Sequence, residues 1–352
     1  MLDIIGIGSL NLDLTATAEK ISSLPIERVS DARRILENCA GYAADLSDIK
    51  KVMSLLGRES FRASLGGSAF NTIHAIAELK SGIKAGFAGV SGSTGCSLDF
   101  RGLMKELSID DSYTAGFPGE SSGVCISVNQ EGHRSLLIHP GCNSLMADHI
   151  LRNYEEIMTY ITKARILHVT SFVDERTPGI LADVIEEAKR RNPEIKISLD
   201  PGLTWMKNIT RSITRIIKSA DIIFLNTVEY RLLAGIGADD SDMASACRIF
   251  NGYELEDIVL VAKMKSEIKV YSRVNGEIVE RCFENQVVRD DQISDATGAG
   301  DIFEVGFLIV LLLKGMDFGE AVELGSRFTY AKLTVPHDKI YPELARIYSG
   351  KF

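Results

Sequence analysis

The sequence predicts an α/β fold: a doubly wound, mostly parallel sheet flanked by helices, with a smaller inserted subdomain. From about residue 147 onward, short apolar strands alternate with helical patterns, which is typical of a parallel sheet covered on both faces. An apolar strand at residues 2–7 fits the same sheet. The chain has 352 residues, 45% of them hydrophobic, which is enough for a large core.

The stretch between the first strand and the first glycine pair predicts the inserted subdomain. It spans roughly fifty residues and carries two helical patterns, at about 31–40 and 46–56. Connections within a domain usually have about 4–6 residues, so we assign this stretch to a subdomain inserted at about residues 14–65. A hairpin around a glycine turn is expected at about residues 120–140. Residues 1–352 then form one domain with these two accessory segments.

The other elements follow in order along the chain. Further strands are predicted over residues 84–90, 165–170, 196–200, 221–225 and 258–262. Helices are predicted after Gly67, up to residue 107, and over residues 147–163, 177–191, 211–218, 302–313, 317–333 and 342–348. An extended run over residues 287–294 leads towards the helix at 302–313.

Composition and charge argue against several classes of protein. The net charge is −9, whereas a nucleic-acid surface needs clustered Lys and Arg, so no nucleic-acid partner is expected. The longest apolar run has about a dozen residues, short of the ~20 that span a membrane, and the N-terminus lacks a signal-peptide pattern. The six cysteines form no C-x-x-C pair. We therefore expect a reduced, cytoplasmic protein without a membrane partner.

The helix at 302–313 is preceded by a segment suited to anion binding. Residues 295–301 are Asp-Ala-Thr-Gly-Ala-Gly-Asp. Backbone N–H groups and the helix dipole favour an anion at such a terminus, and glycine lets a phosphate approach closely. Asp301 stands at the mouth of this site, where a carboxylate can take a proton from a hydroxyl as general base. A loop with an ordinary Asp N-cap would give the same pattern.

Two further segments place polar residues where a ligand is expected. Asn11 and Asp13 follow the first strand, and ligands of open α/β sheets bind at the carboxyl ends of strands. Their donors and acceptors suit a polyhydroxylated ligand, although an ordinary polar turn has the same composition. Gly66 and Gly67 let the backbone lie against a ligand, and Asn71 falls in the first turn of the following helix.

Asn226 and Glu229 form a third candidate group at the start of a predicted helix. They stand one helical turn apart and directly after a predicted strand, so both can face one cavity. Oxygen ligands of this kind suit Mg²⁺ that is held mostly through water. An N-cap residue with an acidic first turn is the alternative.

Together these segments resemble the signatures of the ribokinase-like (PfkB) carbohydrate and nucleoside kinases. The segment from Asp295 to Asp301 is similar to the family's D-T-x-G-A-G-D motif, with Ala296 in place of its first Thr. The resemblance spans essentially the whole chain. The other matches are Asn11 and Asp13 with N-x-D, Gly66, Gly67 and Asn71 with G-G-x-x-x-N, and Asn226 and Glu229 with N-x-x-E.

The resemblance implies a ribokinase-like fold and ATP-dependent phosphorylation of a hydroxyl, expected to be primary, on a small sugar. The inserted subdomain would be a lid over the sugar site. Asp301 would be the catalytic base, and the amides of Gly298, Ala299 and Gly300 would form the anion hole. The implied substrate-binding residues are Asn11, Asp13, Gly66, Gly67 and Asn71. The implied nucleotide- or phosphate-binding residues are Asn226, Glu229 and Thr297.

The resemblance also implies cofactors and partners. ATP and Mg²⁺ are expected, with Mg²⁺ held at Glu229 through water. In some family members the positions of Asp295 and Thr297 hold a monovalent cation, which makes potassium a candidate ion at Asp295. The expected partners are ATP and a small sugar or nucleoside, and a homodimer through the lid is a candidate assembly.

One segment departs from the family pattern and keeps two alternatives open. After the strand at 258–262 the family carries T-x-G-x-x-G, but residues 262–267 are Ala-Lys-Met-Lys-Ser-Glu. Lys263 or Lys265 could replace the missing backbone contacts, although we expect a solvated lysine pair. The long lid favours a nucleoside kinase of the adenosine, inosine or cytidine type. The missing glycines favour a non-catalytic sugar- or nucleotide-binding sensor.

Overall fold

Two β-sheets of different size organise the protein. The computed structural model describes residues 2–16, 21–38, 42–130, 133–235 and 241–351. The strands are β1 (Ile4–Ile7), β2 (Asn11–Ala16), β3 (Phe61–Gly66), β4 (Ala85–Ser93), β5 (Asp110–Ser121), β6 (Gly123–Gln130), β7 (His133–His139), β8 (Ile166–Thr170), β9 (Lys196–Asp200), β10 (Ile222–Asn226), β11 (Val259–Lys263), β12 (Glu267–Val274) and β13 (Glu277–Glu284).

Helices cover both faces of the larger sheet. They are α1 (Ile26–Asn38), α2 (Leu46–Leu56), α3 (Ser68–Glu78), α4 (Phe100–Glu106), α5 (Met146–Arg152), α6 (Tyr154–Ile161), α7 (Thr177–Arg191), α8 (Gly202–Lys207), α9 (Arg211–Ser219), α10 (Thr227–Ala234), α11 (Asp242–Gly252), α12 (Ala299–Lys314), α13 (Phe318–Thr334) and α14 (Ile340–Ser349). Among the described residues, no helix combines the length and apolar character that a membrane crossing requires.

The larger sheet has nine strands in the order β13-β12-β11-β10-β9-β8-β1-β4-β5. The seven strands from β11 to β5 run parallel, and β12 and β13 are antiparallel additions at one edge. The predicted doubly wound, mostly parallel sheet is therefore confirmed.

The apolar core lies on both sides of this sheet. Strand β10 illustrates the alternation: Ile222 and Phe224 pack with α3, α12 and α13, while Ile223 and Leu225 pack on the opposite face with α7 and α9. Because every residue of such a strand contacts a covered face, the strand is apolar throughout, which explains why it could be recognised from sequence.

The smaller sheet has four strands in the order β3-β2-β6-β7. One face is covered by α1 and α2, which pack against Leu12, Leu14 and Ile126. The opposite face carries Asp13 and lies towards the larger sheet. The predicted insertion and the predicted hairpin thus contribute to a single sheet.

The local structure differs from the sequence expectations at three places. Asn11 and Asp13 follow β1, as expected, but they lie in a second strand, β2. The helix expected over 147–163 is divided between α5 and α6, because Asn153 leaves helical dihedral angles and its side chain donates to the carbonyl of His149 at 2.8 Å. The extended run expected over 287–294 is interrupted by a 3₁₀ turn at Asp290–Gln292.

Candidate functional site

A cavity of about 730 Å³ lies between the carboxyl ends of the parallel strands and the smaller sheet. Most predicted site residues line it: Asn11, Asp13, Gly67, Asn71, Asn226, Glu229, Thr297, Gly298, Ala299, Gly300 and Asp301. Gly66 lies against the Asp13 carboxylate, and Asp295 lines a neighbouring cavity of about 270 Å³.

Asp301 is fixed in the first turn of α12. The turn begins after Gly298, whose φ of 75° is left-handed and therefore favours glycine. The Asp301 side chain is buried, and its Oδ2 accepts a hydrogen bond from Asn71 Nδ2 at 2.8 Å. The amide of Ala299 donates to the Ala296 carbonyl at 3.2 Å, so one amide of the predicted anion hole already has an acceptor. The helix start thus presents a carboxylate and a positive dipole end to the same cavity.

Asp13 and Asn11 are placed by close contacts within the smaller sheet. A Cβ at Gly66 would overlap the Asp13 carboxylate, so glycine is required for this approach. Asn11 is held by Asn143, whose Nδ2 donates to Asn11 Oδ1 at 3.0 Å. Asn143 Oδ1 also accepts from the amide of Leu10 at 2.9 Å and thereby fixes the connection from β1 to β2.

Asn226 and Glu229 form a capping box at the start of α10. Asn226 Oδ1 accepts from the amide of Glu229 at 3.0 Å, and Glu229 Oε2 accepts from the amide of Asn226 at 2.9 Å. The structural alternative considered from the sequence is therefore present, yet both residues also line the cavity. Burial, together with the charge of Asp200, raises the pKa of Glu229 to about 7.

Lys263 lies inside the site, so the expectation of a solvated lysine was wrong for this residue. Its side chain is 13% exposed, and its Nζ lies 2.5 Å from Glu304 Oε1. Burial alone would lower the pKa of Lys263, but Glu304, Asp200 and Glu229 outweigh it and raise the pKa. Lys265, two residues further on, is exposed at the surface.

The far side of Glu304 contacts a buried histidine. Glu304 Oε2 and His168 Nε2 lie 3.5 Å apart, and both side chains are completely buried. His168 Nδ1 hydrogen bonds with Ser198 Oγ at 3.0 Å. Burial lowers the pKa of His168 to about 4, so this ring is neutral near pH 7 and Lys263 is the cation that faces Glu304.

Asp295 is surrounded by protein cations. Its Oδ2 lies 2.6 Å from an Arg62 nitrogen and 3.4 Å from Lys332 Nζ, and its Oδ1 accepts from the amide of Thr297 at 2.8 Å. Burial acts to raise the pKa of Asp295, but Lys332, Thr297 and Arg62 hold it below its usual value. The Thr297 hydroxyl lies 3.2 Å from that of Ser127 in β6, so this loop touches the smaller sheet at two points.

Asp200 and Glu229 are the residues that fit a divalent cation. Asp200 ends β9 and is buried at the cavity. After burial, repulsion by the Asp200 charge contributes most to the raised pKa of Glu229. Two buried carboxyl groups that repel each other suit Mg²⁺, which binds one or two carboxylates and completes its shell with water and phosphate oxygens. In the described part of the chain, no cluster of three or more His, Cys, Asp or Glu could hold a metal by itself.

Sequence reasoning missed three residues of the site, Asn143, Asp200 and Glu304, and it assigned a fourth, Lys263, to solvent. Asp200 ends a predicted strand, which is the position where a ligand contact is expected. Glu304 is the one charged residue between 302 and 313 in an otherwise apolar helix, and a buried charge requires a partner. Those signals were available, whereas the contact of Asn143 with Asn11 joins residues too distant in sequence to be predicted.

Comparison with known proteins identifies the class of enzyme. Residues 37–339 match the pfkB family carbohydrate kinases. An uncharacterized sugar kinase of Archaeoglobus fulgidus is 31% identical over 216 residues, covering 61% of this chain and 76% of that protein. The ribokinase of Haemophilus influenzae is 22% identical over 271 residues, covering 76% and 80% of the two chains.

Solved structures show the same fold. The adenosine kinase of Schistosoma mansoni in complex with 2-fluoroadenosine superposes with a TM-score of 0.74 at 16% identity, covering 95% of each chain. A fold with the carbohydrate-kinase signature and a cleft lined by its motifs defines a phosphotransferase with an alcohol acceptor. The chain belongs to the PfkB family of carbohydrate kinases. This membership favours an enzyme over the non-catalytic sensor.

Proposed function

We propose that this kinase transfers the γ-phosphoryl group of ATP to a primary hydroxyl of a small sugar. The observation that carries the proposal is the placement of Asp301. Its carboxylate is held by Asn71 at the start of α12, in a cavity that also contains Asp13. A general base beside a helix N-terminus is the arrangement that in-line phosphoryl transfer requires.

In the proposed reaction, each group moves to a defined acceptor. Asp301 takes the proton of the sugar hydroxyl, whose oxygen forms a bond to the γ-phosphorus. The bond from that phosphorus to the bridging oxygen breaks, and its electron pair stays on the leaving ADP. The amides of Gly298 and Gly300 and the positive end of the α12 dipole stabilise the charge on the transferring group.

Asp13, Asn71 and Asn11 are proposed to orient the acceptor. Asp13 and Asn71 line the same cavity as Asp301, and Asp13 supplies a charged hydrogen-bond acceptor for sugar hydroxyls. Asn11 is already bonded to Asn143, so its contribution is to shape the site. Asn226, Glu229 and Thr297 are proposed to face the nucleotide phosphates.

Mg²⁺ fits the carboxyl groups of Asp200 and Glu229 and would be held there mainly through water. When bound, Mg²⁺ neutralises phosphate oxygens and so lowers the barrier to transfer. The chain's own contribution is to keep Glu229 at the cavity through its bond to the Asn226 amide.

A nucleoside acceptor is the second candidate function. The observation that favours it is the lid, in which α1 and α2 cover one whole face of the smaller sheet and leave the other face for a bulky acceptor. The adenosine kinase of Schistosoma mansoni has the same fold. A nucleoside of the adenosine, inosine or cytidine type would present its own primary hydroxyl to Asp301.

An acceptor panel tests the proposal. Purified enzyme with ATP and Mg²⁺ is incubated with single sugars and single nucleosides, and ADP release is measured. Turnover with a sugar supports the first function, and turnover only with nucleosides supports the second. Saturable acceptor binding without ADP release from any member would contradict both.

The location and assembly remain part of the proposal. A cytoplasmic location is supported by the use of ATP as donor. A homodimer through the lid would use the edges of the smaller sheet or the outer faces of α1 and α2, because the cavity occupies the opposite face of the sheet.

A further inference from the structure

Lys263 occupies an unusual electrostatic position. It is the last residue of β11, paired in register with Asn226 of β10. Its Nζ lies near the start of α12, where a Cβ added to Gly300 would be 3.2 Å away. Helix starts carry partial positive charge, so a lysine ammonium is disfavoured there unless an anion accompanies it.

Glu304 is the anion that accompanies Lys263 in the absence of ligand. It lies in the second turn of α12 and is completely buried. Its Oε1 lies 2.5 Å from Lys263 Nζ. A buried ion pair contributes little net stability, because both charges lose their hydration. Two apolar residues of similar size could fill this space without loss of stability. The stability of the fold therefore does not explain why Lys263 and Glu304 are present.

The position of the Lys263 ammonium at the cavity gives a better explanation for the ion pair. Lys263 lines the cavity together with Gly300 and Asp301 at one side and Asn226 and Glu229 at the other. An anion bound between these two helix starts would face the ammonium and both positive dipole ends. Residues 262–267 lack the glycines of the T-x-G-x-x-G pattern, whose backbone amides would be expected to contact the nucleotide. Lys263 places a cation in this segment.

We propose that Lys263 binds the terminal phosphate of the nucleotide donor, and that Glu304 is a positioning residue that holds the ammonium at the start of α12. This inference rests on the proposed function, since it assumes that ATP is the donor. Lys263 contributes a cation and a hydrogen-bond donor and exchanges no electron pair. Glu304 acts only through Lys263.

Nucleotide binding tests this role without an identified acceptor. The affinities of AMP-PNP, ADP and AMP, each with Mg²⁺, are measured by calorimetry for the wild type and for Lys263→Met. Loss of one charge-assisted hydrogen bond should weaken AMP-PNP about ten- to a hundredfold. ADP should lose less, and AMP should stay within about threefold.

Lys269→Met is the matched control. Lys269 is 12% exposed and pairs with Asp242 at 2.7 Å, so it is as buried as Lys263 but lies in β12 outside the cavity. Its replacement should leave the affinity for all three nucleotides unchanged. The double variant Lys263→Met/Glu304→Gln removes the buried charge that the single variant would strand, and it should show the same selective loss of AMP-PNP.

The outcomes separate this inference from the proposed function. If the wild type fails to bind AMP-PNP, the choice of ATP as donor is wrong. If the wild type binds it and the double variant binds it equally well, Lys263 has no phosphate contact. Equal weakening of AMP and AMP-PNP in both variants would assign Lys263 a structural role and overturn the proposal.

Discussion

At the scale of single residues, we propose that Asp13 belongs to the acceptor half of the cavity and that Asn226 and Glu229 belong to the donor half. The Asp13 carboxylate lies on Gly66 in the smaller sheet, whereas Asn226 ends β10 of the larger sheet and Glu229 follows in α10. We expect Asp13→Ala to weaken acceptor binding by about ten- to a hundredfold through the loss of a charged hydrogen bond. The Kd for ATP should change by less than about threefold in the same titration. Equal losses for both substrates would show that the two halves are assigned wrongly.

Glu229 predicts a pH-dependent metal affinity. Burial and the charge of Asp200 raise the pKa of Glu229 to about 7, so its protonated form is favoured below that pH. A bound cation requires the ionised form, and protons therefore compete with the metal below pH 7. We expect the affinity for Mn²⁺, a paramagnetic substitute for Mg²⁺, to fall as the pH decreases from 7 to 5.5 and to level off above 7.

Electron paramagnetic resonance measures this binding directly. Glu229→Gln should remove the pH dependence together with much of the affinity. Glu277→Gln, which changes an exposed residue at the sheet edge, is the control and should behave like the wild type. A Mn²⁺ affinity that does not vary between pH 5.5 and 8 in the wild type would exclude Glu229 as the titrating ligand.

Asp295 yields an expectation about potassium. The sequence made potassium a candidate ion at this carboxylate, and that prediction has no direct test so far. The carboxylate is flanked by Arg62 and Lys332, and a third cation would be repelled by both. We therefore expect turnover in potassium chloride and in tetramethylammonium chloride to agree within about threefold. A larger activation by potassium would show that the ion displaces one of the two side chains.

The residues that the sequence revealed differ in kind from those that it concealed. Asp301, Asn71 and Asp13 stand in local patterns whose spacing predicts a helix start or a strand end, and the structure brings all three to one cavity. Lys263 was assigned to solvent as one of a lysine pair with Lys265. Its burial depends on Glu304, forty-one residues later in the chain, and such a pair is decided by tertiary packing.

At the scale of elements, buried parallel strands were predictable, whereas only the β6–β7 hairpin of the smaller sheet was. Strands such as β8 and β10 are apolar at every position or nearly so, which marks them in the sequence. Strand β2 carries alternating polar residues and pairs with β6, more than a hundred residues away. The β12–β13 hairpin also escaped prediction, since it lies at an edge and is rich in charged residues that obscure its period.

The contacts between the smaller sheet and the 295–301 loop predict how the lid responds to ligands. Arg62 of β3 binds Asp295, and Ser127 of β6 contacts Thr297, so the loop and the lid are joined at two points. We expect the acceptor, more than ATP, to slow amide hydrogen exchange in residues 21–38 and 42–66, because Asp13 and Asn71 flank this segment. Arg62→Gln should reduce that protection.

Exchange is followed by mass spectrometry with acceptor, with AMP-PNP and with neither. Arg101→Gln serves as the control, since it breaks an exposed ion pair with Asp111 and Arg101 lines neither cavity of the site. Protection that appears only near Asp301, with the lid unchanged, would indicate that the lid is a rigid part of the fold.

At the scale of the whole molecule, the protein combines a nine-stranded sheet with a four-stranded sheet, and the cavity lies between them. Apolar clusters on both faces of the larger sheet fix the strand ends that carry Asp200, Asn226 and Lys263. The smaller sheet has a separate apolar cluster beneath α1 and α2. We propose that the donor side of the cavity is built on the larger sheet and that the acceptor side is shared with the smaller sheet, which acts as the lid.

The central claim is that Asp301 is the general base of phosphoryl transfer. Asp301→Asn preserves the shape of the side chain and its contact with Asn71 but cannot accept a proton. With the acceptor found in the panel, kcat should fall by about 10²–10⁴-fold while the Kd for acceptor and for AMP-PNP stays within about threefold. A kcat within about threefold of the wild-type value would contradict the assignment of Asp301 and, with it, the proposed mechanism.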